Sequence, residues 1–215
     1  MQMKTKTFTV GVFCTNCHVV FCHDTGEAVI IDPGSDEQQE TEGILKFIDE
    51  NALKPTLVIN THGHPDHTCG NGTFKKAFNI PILVHKKDEH MFGTHGKAIA
   101  QSLGFSNCSP QADRYLRDGN VVSFGNENLK VIHTPGHTCG SICLLGQNEI
   151  FTGDTLFAGS IGRVDFPESS PQQMQTSLAK LSLLPDRLTT YPGHGPSTTI
   201  GKEKAHNPFL LRPRS

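Results

Sequence analysis

Four apolar segments of this chain end in the same way. TLVIN (56–60) runs into THGHPDH (61–67), LKVIHTPG (129–136) into His137, EIFTG (149–153) into Asp154, and LTTYPG (188–193) into His194. Short apolar runs bounded by Gly and Pro read as buried strands. In the last three a glycine stands immediately before the His or Asp, and glycine lets a backbone turn sharply and approach closely. Strand ends from one sheet can converge at a shared edge, where loops carry function and strands fix position. The fold must then be one that gathers His62, His64, Asp66, His67, His137, Asp154 and His194 at one rim.

The rest of the chain is read around those segments. Strands are expected at 6–13, 17–23 and 27–32, with HDTGE turning between the last two. A helix follows over 36–52, with Ile44, Leu45 and Ile48 as its apolar stripe. After TLVIN come a helix at 70–79, a strand at 81–84 and a helical, irregular stretch over 86–118. A hairpin is expected from 120–124 and 129–134, then strands at 140–145 and 149–152. In SSPQQMQTSLAKLSLLP, Ser170 caps a helix, Pro171 opens it, Gln173 completes the capping box and Pro185 stops it. Strands first and helix–strand alternation afterwards, repeated in each half, imply an α/β (α+β) sandwich of two sheets with helices outside. Residues 1–215 are expected to form one domain.

Composition excludes several classes. Net charge is −2, which offers nothing to nucleic acid or an anionic membrane surface. No run approaches the roughly 18 apolar residues of a membrane span. The N-terminus lacks an apolar leader, so the expected compartment is the cytoplasm. Seven cysteines, an odd number, fit reduced thiols better than a disulfide framework. Cys14 and Cys17 form a C-x-x-C pair with no second pair to complete a tetrahedral site, and read as small residues at a strand end.

The chemistry lies in the His/Asp set. His62 and His64, two apart in an extended loop, can face one centre, while Asp66 and His67 point elsewhere, so the spacing suggests two centres. Imidazole nitrogen with carboxylate oxygen and no thiolate suits zinc, and also iron or manganese.

Here the pattern resembles the metallo-β-lactamase-fold hydrolases, and within them the type II glyoxalase-like (hydroxyacylglutathione hydrolase-like) branch. THGHPDH (61–67), TPGHT (134–138), GDTLFAGSIGRVDFP (153–167) and YPGHGPST (191–198) carry the resemblance in order and spacing, as does the final NPFL. It implies a four-layer αβ/βα sandwich with the site at one edge. It implies two divalent metal ions, the first held by His62, His64 and His137, the second by Asp66, His67 and His194, with Asp154 bridging. Arg163 and Asp165, in GSIGRVD, are expected to pair as a brace behind the ligands. The dedicated glyoxalases append a glutathione-binding helical domain after the last ligand, whereas 21 residues follow His194 here. No separate C-terminal domain of that kind is expected.

The expected activity is hydrolysis of a small, anionic thioester by a hydroxide held between the cations, with Asp66 a ligand that can also accept a proton. Two divalent cations against two carboxylates and a hydroxide leave about one positive charge, which favours an anionic substrate. A thiolate leaves readily, its pKa being about 8.5, and no cysteine nucleophile is required. The alternatives within the fold are a mononuclear iron persulfide dioxygenase using His62, His137 and Asp154, and a lactonase. From a different class, a non-catalytic binding protein fits less well, since all seven positions are present. Residues 86–118, with His85, His90 and His95 read as polar surface, are expected to shape the mouth of the site.

Overall fold

Strands β1 (Met3–Val10), β2 (Thr15–Cys22) and β3 (Glu27–Ile31) form an antiparallel meander. The structure is a computed structural model and describes residues 3–210. The sheet then continues in parallel through β4 (Lys54–Ile59), β5 (Ile82–His85) and β6 (Arg114–Leu116). The connections are helical: α1 (Gln38–Glu50), the short α2 (Pro65–Thr68), α3 (Asn71–Phe78), a 3-10 turn at Lys86–Met91, and α4 (Gly93–Ser102).

The second sheet contains β7 (Val121–Phe124), β8 (Glu127–His133), β9 (Ile142–Leu145), β10 (Glu149–Gly153), β11 (Thr189–Pro192) and β12 (Thr198–Thr199). Its order is β12-β11-β10-β9-β8-β7, with β10 and β11 parallel and joined through α5 (Pro171–Ser182). The last helix is α6 (Ile200–His206).

Period-two alternation builds four layers from these parts. Along β3, Ala28 and Ile30 pack outward with Val58, Ile82 and the helix residues Ile44, Ile48 and Phe74. Val29 and Ile31 point the other way, against Phe124, Leu129, Val131, Ile142, Leu144 and Phe151 of the second sheet. That sheet repeats the device: Cys143 and Ile150 face Met174, Leu178, Leu181 and Ile200 of α5 and α6. The expected αβ/βα sandwich is therefore the observed one. Each fully buried aliphatic or aromatic side chain contributes about 1.5–3 kcal/mol.

Local expectations need correction in four places. The first strand is Met3–Val10 rather than 6–13, and residues 11–14 form a turn. The 86–118 stretch contains the edge strand β6, whose three residues, Arg-Tyr-Leu, are too few and too polar to show a strand period. Helix α6 was not anticipated; Thr199 caps it by accepting from the Lys202 amide at 3.2 Å. THGHPDH is not wholly extended, because Pro65 opens the single-turn helix α2. Half of the expected α5 capping box forms: Ser170 Oγ accepts from the Gln173 amide at 3.3 Å, but the Ser170 amide donates to the Gly136 carbonyl at 2.8 Å in place of the Gln173 side chain. Among the described residues no helix is long and apolar enough to cross a membrane.

Candidate metal centre

The C-terminal ends of β4, β8, β10 and β11 lie at one rim of the sandwich, and the seven side chains meet there. Coordinating atoms of His62, His64 and His137 lie within 4.8 Å of one another, as do those of Asp66, His67 and His194. The two groups adjoin: the His62 ring centroid is 4.2 Å from that of His67. The Asp154 carboxylate stands between them, with Oδ2 3.4 Å from His137 Nε2 and 3.5 Å from His194 Nε2, and Oδ1 3.5 Å from His67 Nε2. Asp66 Oδ2 lies 3.4 Å from both His67 Nε2 and His194 Nε2. Among the described residues no group of three or more that could hold a metal includes a cysteine.

Each imidazole is oriented by a partner outside the cluster. His137 Nδ1 donates to the Arg163 carbonyl at 2.9 Å, and His194 Nδ1 to the Phe13 carbonyl at 3.0 Å. His67 Nδ1 donates to Asp32 Oδ2 at 3.1 Å, and His64 Nε2 to Glu168 Oε1 at 3.1 Å. His62 Nδ1 faces Thr61 Oγ1 at 3.1 Å, and the hydroxyl hydrogen of Thr61 is committed to Asp32 at 2.6 Å. These acceptors assign the ring protons to the outward nitrogens. In the neutral rings, five lone pairs then face inward beside two carboxylates.

With all five rings neutral, as ligation requires, the interior holds crowded acceptors and no protein donor. His64 Nδ1 sits 2.8 Å from His137 Nε2, and His67 Nε2 3.1 Å from His194 Nε2. His62 Nε2 and Asp154 Oδ1 are buried without a hydrogen-bond partner. A buried unsatisfied group costs about 1–3 kcal/mol, and crowded like lone pairs add to that. Cations remove the conflict, and the donor set suits divalent ones.

Electrostatics agree. Burial works against a charged His67, but Asp66, Asp154 and Asp32 together lift its pKa to about 9. At His194, Asp154 and Asp66 likewise outweigh burial and lift it to about 11. Burial pushes the Asp66 and Asp154 carboxyls up, and the surrounding histidines more than reverse this, holding both below the usual range. Burial and its histidine neighbours push His62 well down. The rim draws in positive charge.

Two glycines are required by contact. Gly153 has φ +46°, and a Cβ there would lie 2.3 Å from Thr61 Oγ1. A Cβ on Gly193 would lie 2.2 Å from Asp154 Oδ1 and 2.8 Å from His67 Cε1.

Several supporting residues escaped the sequence reading. Asp32, 1% exposed, accepts from the Thr61 amide, the Thr61 hydroxyl and His67. Its signal was available, since AVIIDPG is another apolar run ending in Asp with a turn behind it. Asp88 ties two ligand loops together, accepting from the Gly63 amide, the Gly140 amide and the Thr138 hydroxyl. No motif announces it, nor Glu168. Arg163 and Asp165 do pair, at 2.9 Å, but in solvent and without touching a ligand side chain. What Arg163 gives the rim is its carbonyl, together with a guanidinium 4.4 Å over the Phe166 ring.

His90 and His95 are surface residues, but His85 is buried and stacks on His133 with centroids 4.2 Å apart. The 86–118 stretch supports the rim through Asp88 and through Phe105, which stacks on Phe13 at 6.0 Å. Cys14 lies exposed in a turn at φ +54°, and Cys17 is buried in β2.

A family model described as the metallo-beta-lactamase superfamily matches residues 10–194. The chain is 35% identical over 214 residues to the hydroxyacylglutathione hydrolase GloC of Haemophilus influenzae, covering 97% of this chain and 98% of that one. Among solved structures, BLEG-1 B3 metallo-beta-lactamase superposes with a TM-score of 0.88 at 33% identity, over 97% of this chain and all of that one (100%). The di-iron-bound form of TTHA1623 superposes with a TM-score of 0.84 at 33% identity, over 95% and 100% of the two chains.

Proposed function

The chain belongs to the metallo-beta-lactamase superfamily, and from that premise we propose that it is a binuclear metal-dependent hydrolase of thioesters. In this reading His62, His64 and His137 would hold one divalent cation and Asp66, His67 and His194 the other, with Asp154 available to both. The single observation that carries it is the pair of buried, unpartnered atoms His62 Nε2 and Asp154 Oδ1 at the meeting point of two groups of converging ligand atoms. Zinc is the first candidate, with iron and manganese as alternatives; a di-iron relative keeps iron among them.

Two divalent cations bound there would supply hydroxide at neutral pH and polarise a carbonyl. The protein's part is to orient and to manage protons. Outward hydrogen bonds orient all five rings, which limits the reorganisation that binding requires. Asp154 is 8% exposed and enclosed between the two groups, which suits a bridge. The Asp66 side chain, 20% exposed, is more open than Asp154, which supports its reading as a ligand that could also accept a proton. The cations' excess charge favours an anionic substrate, and a thiolate of pKa about 8.5 departs without a strong acid.

Glutathione thioesters lead the panel because the Haemophilus relative, named for that substrate, is covered over 98% of its length. The test is metal analysis of the purified chain with turnover of a glutathione thioester, a glutathione-free thioester, a lactone, a β-lactam and a persulfide under oxygen monitoring. Two equivalents of metal and thioester cleavage are expected. One iron with oxygen uptake on the persulfide would replace this reading with the dioxygenase; cleavage of the lactone or β-lactam alone would move the substrate class.

A further inference from the structure

The two proposed centres are anchored differently. On the His67 side the anchor is Asp32, 1% exposed and engaged by three donors. On the other side, His62 and His137 direct their outward protons to neutral acceptors, the Thr61 hydroxyl and the Arg163 carbonyl. His64 alone directs its proton to a carboxylate, Glu168, whose side chain is 30% exposed.

Glu168 is not a stray surface charge, because the backbone around it is fastened to the same group. Phe166 packs edge-on against the rings of His64 and His137, at 5.4 and 5.8 Å. Ser169 donates its hydroxyl to the His137 carbonyl at 2.6 Å, and the Ser170 amide donates to the Gly136 carbonyl at 2.8 Å. Cys139 Sγ donates to the Glu168 carbonyl at 3.4 Å. The 166–170 segment thus clasps the His64/His137 pair, and the Glu168 carboxylate reaches from it to His64 Nε2 at 3.1 Å.

We infer that Glu168 is the positioning residue of the His62/His64/His137 centre, fixing the His64 ring so that Nδ1 faces inward and setting that centre's hold on metal independently of the other. The inference rests on the two-cation reading above. A carboxylate that receives the far N–H of a metal-bound imidazole both orients the ring and raises its basicity, and loss of such a partner weakens metal binding about 10–100-fold. The second centre, secured by Asp32, should not feel the change. Glutamine at 168 keeps an acceptor oxygen for Nε2–H and loses only the charge, so it should restore part of the effect.

The experiment uses the full chain as wild type, Glu168→Ala and Glu168→Gln, each stripped of metal and titrated with Zn²⁺ against a chromophoric chelator. Wild type should show two equivalents. Glu168→Ala should keep one affinity unchanged and lose about 10–100-fold in the other, with Glu168→Gln in between and the melting of all three metal-free chains alike. Two unchanged affinities, two affinities falling together, or a glutamine variant no better than alanine would overturn the inference while leaving the two-cation reading intact. A wild type that takes up fewer than two equivalents overturns that reading and this inference with it.

Discussion

Asp32 accepts the Nδ1–H of His67 at 3.1 Å, and through this contact a residue of β3's end orients a ligand candidate from the loop after β4. The same carboxylate takes the Thr61 amide at 2.7 Å and the Thr61 hydroxyl at 2.6 Å, and Thr61 in turn faces His62. One buried acid therefore sets the tautomers of both rings whose centroids lie 4.2 Å apart at the junction of the two groups.

Asp32→Asn tests that role cleanly. Asp32 lies at φ +51°, which asparagine tolerates, so the backbone is not strained by the change. Asparagine offers one acceptor oxygen to three donors. Metal affinity at the His67 centre should fall about 10–100-fold, read by chelator competition, with stability lowered by about 1–3 kcal/mol in urea melts.

His64→Ala and Asp154→Ala should each remove metal and at least about 100-fold of the turnover that the panel detects. Far-UV circular dichroism should be largely unchanged, because neither residue lies within a strand or helix. Full hydrolysis retained in either purified variant would reject the assignment.

Gly193→Ala alters no ligand, yet a methyl group there meets Asp154 Oδ1 at 2.2 Å. The carboxylate must move or the β11 turn must shift, at a cost of about 1–3 kcal/mol. Zinc content should fall well below wild type while the secondary structure persists. Normal zinc binding would mean that Asp154 does not need its observed position.

Proton linkage gives a signed pH prediction. His67 at about 9 and His194 at about 11 lie above the ordinary histidine value of about 6.5. In that interval the chelator-treated folded chain binds more protons than the unfolded one. This stabilising contribution is fully present below about pH 6.5 and is lost as pH rises through the folded values. Zinc loading near pH 7.5, about neutral, must expel those protons, so titration calorimetry in buffers of different ionisation heat should report net proton release. A buffer-independent heat would contradict it.

The fold class and the set of groups that can hold a metal were legible in the chain. TLVIN, LKVIH and EIFTG mark strands as short apolar runs closed by turn residues, and the His or Asp that follows each is part of the same short segment. Such signals need no knowledge of what lies across the rim. The partners that make these residues into a site were decided only by tertiary structure. His64 meets Glu168 across 104 positions, His194 meets the Phe13 carbonyl across 181, and His67 meets Asp32 across 35. A hydrogen bond between distant positions leaves no periodicity, and a backbone carbonyl leaves no residue type to read. The sequence therefore determined which groups could hold metal, and packing of the two sheets decided which nitrogen of each ring faces inward.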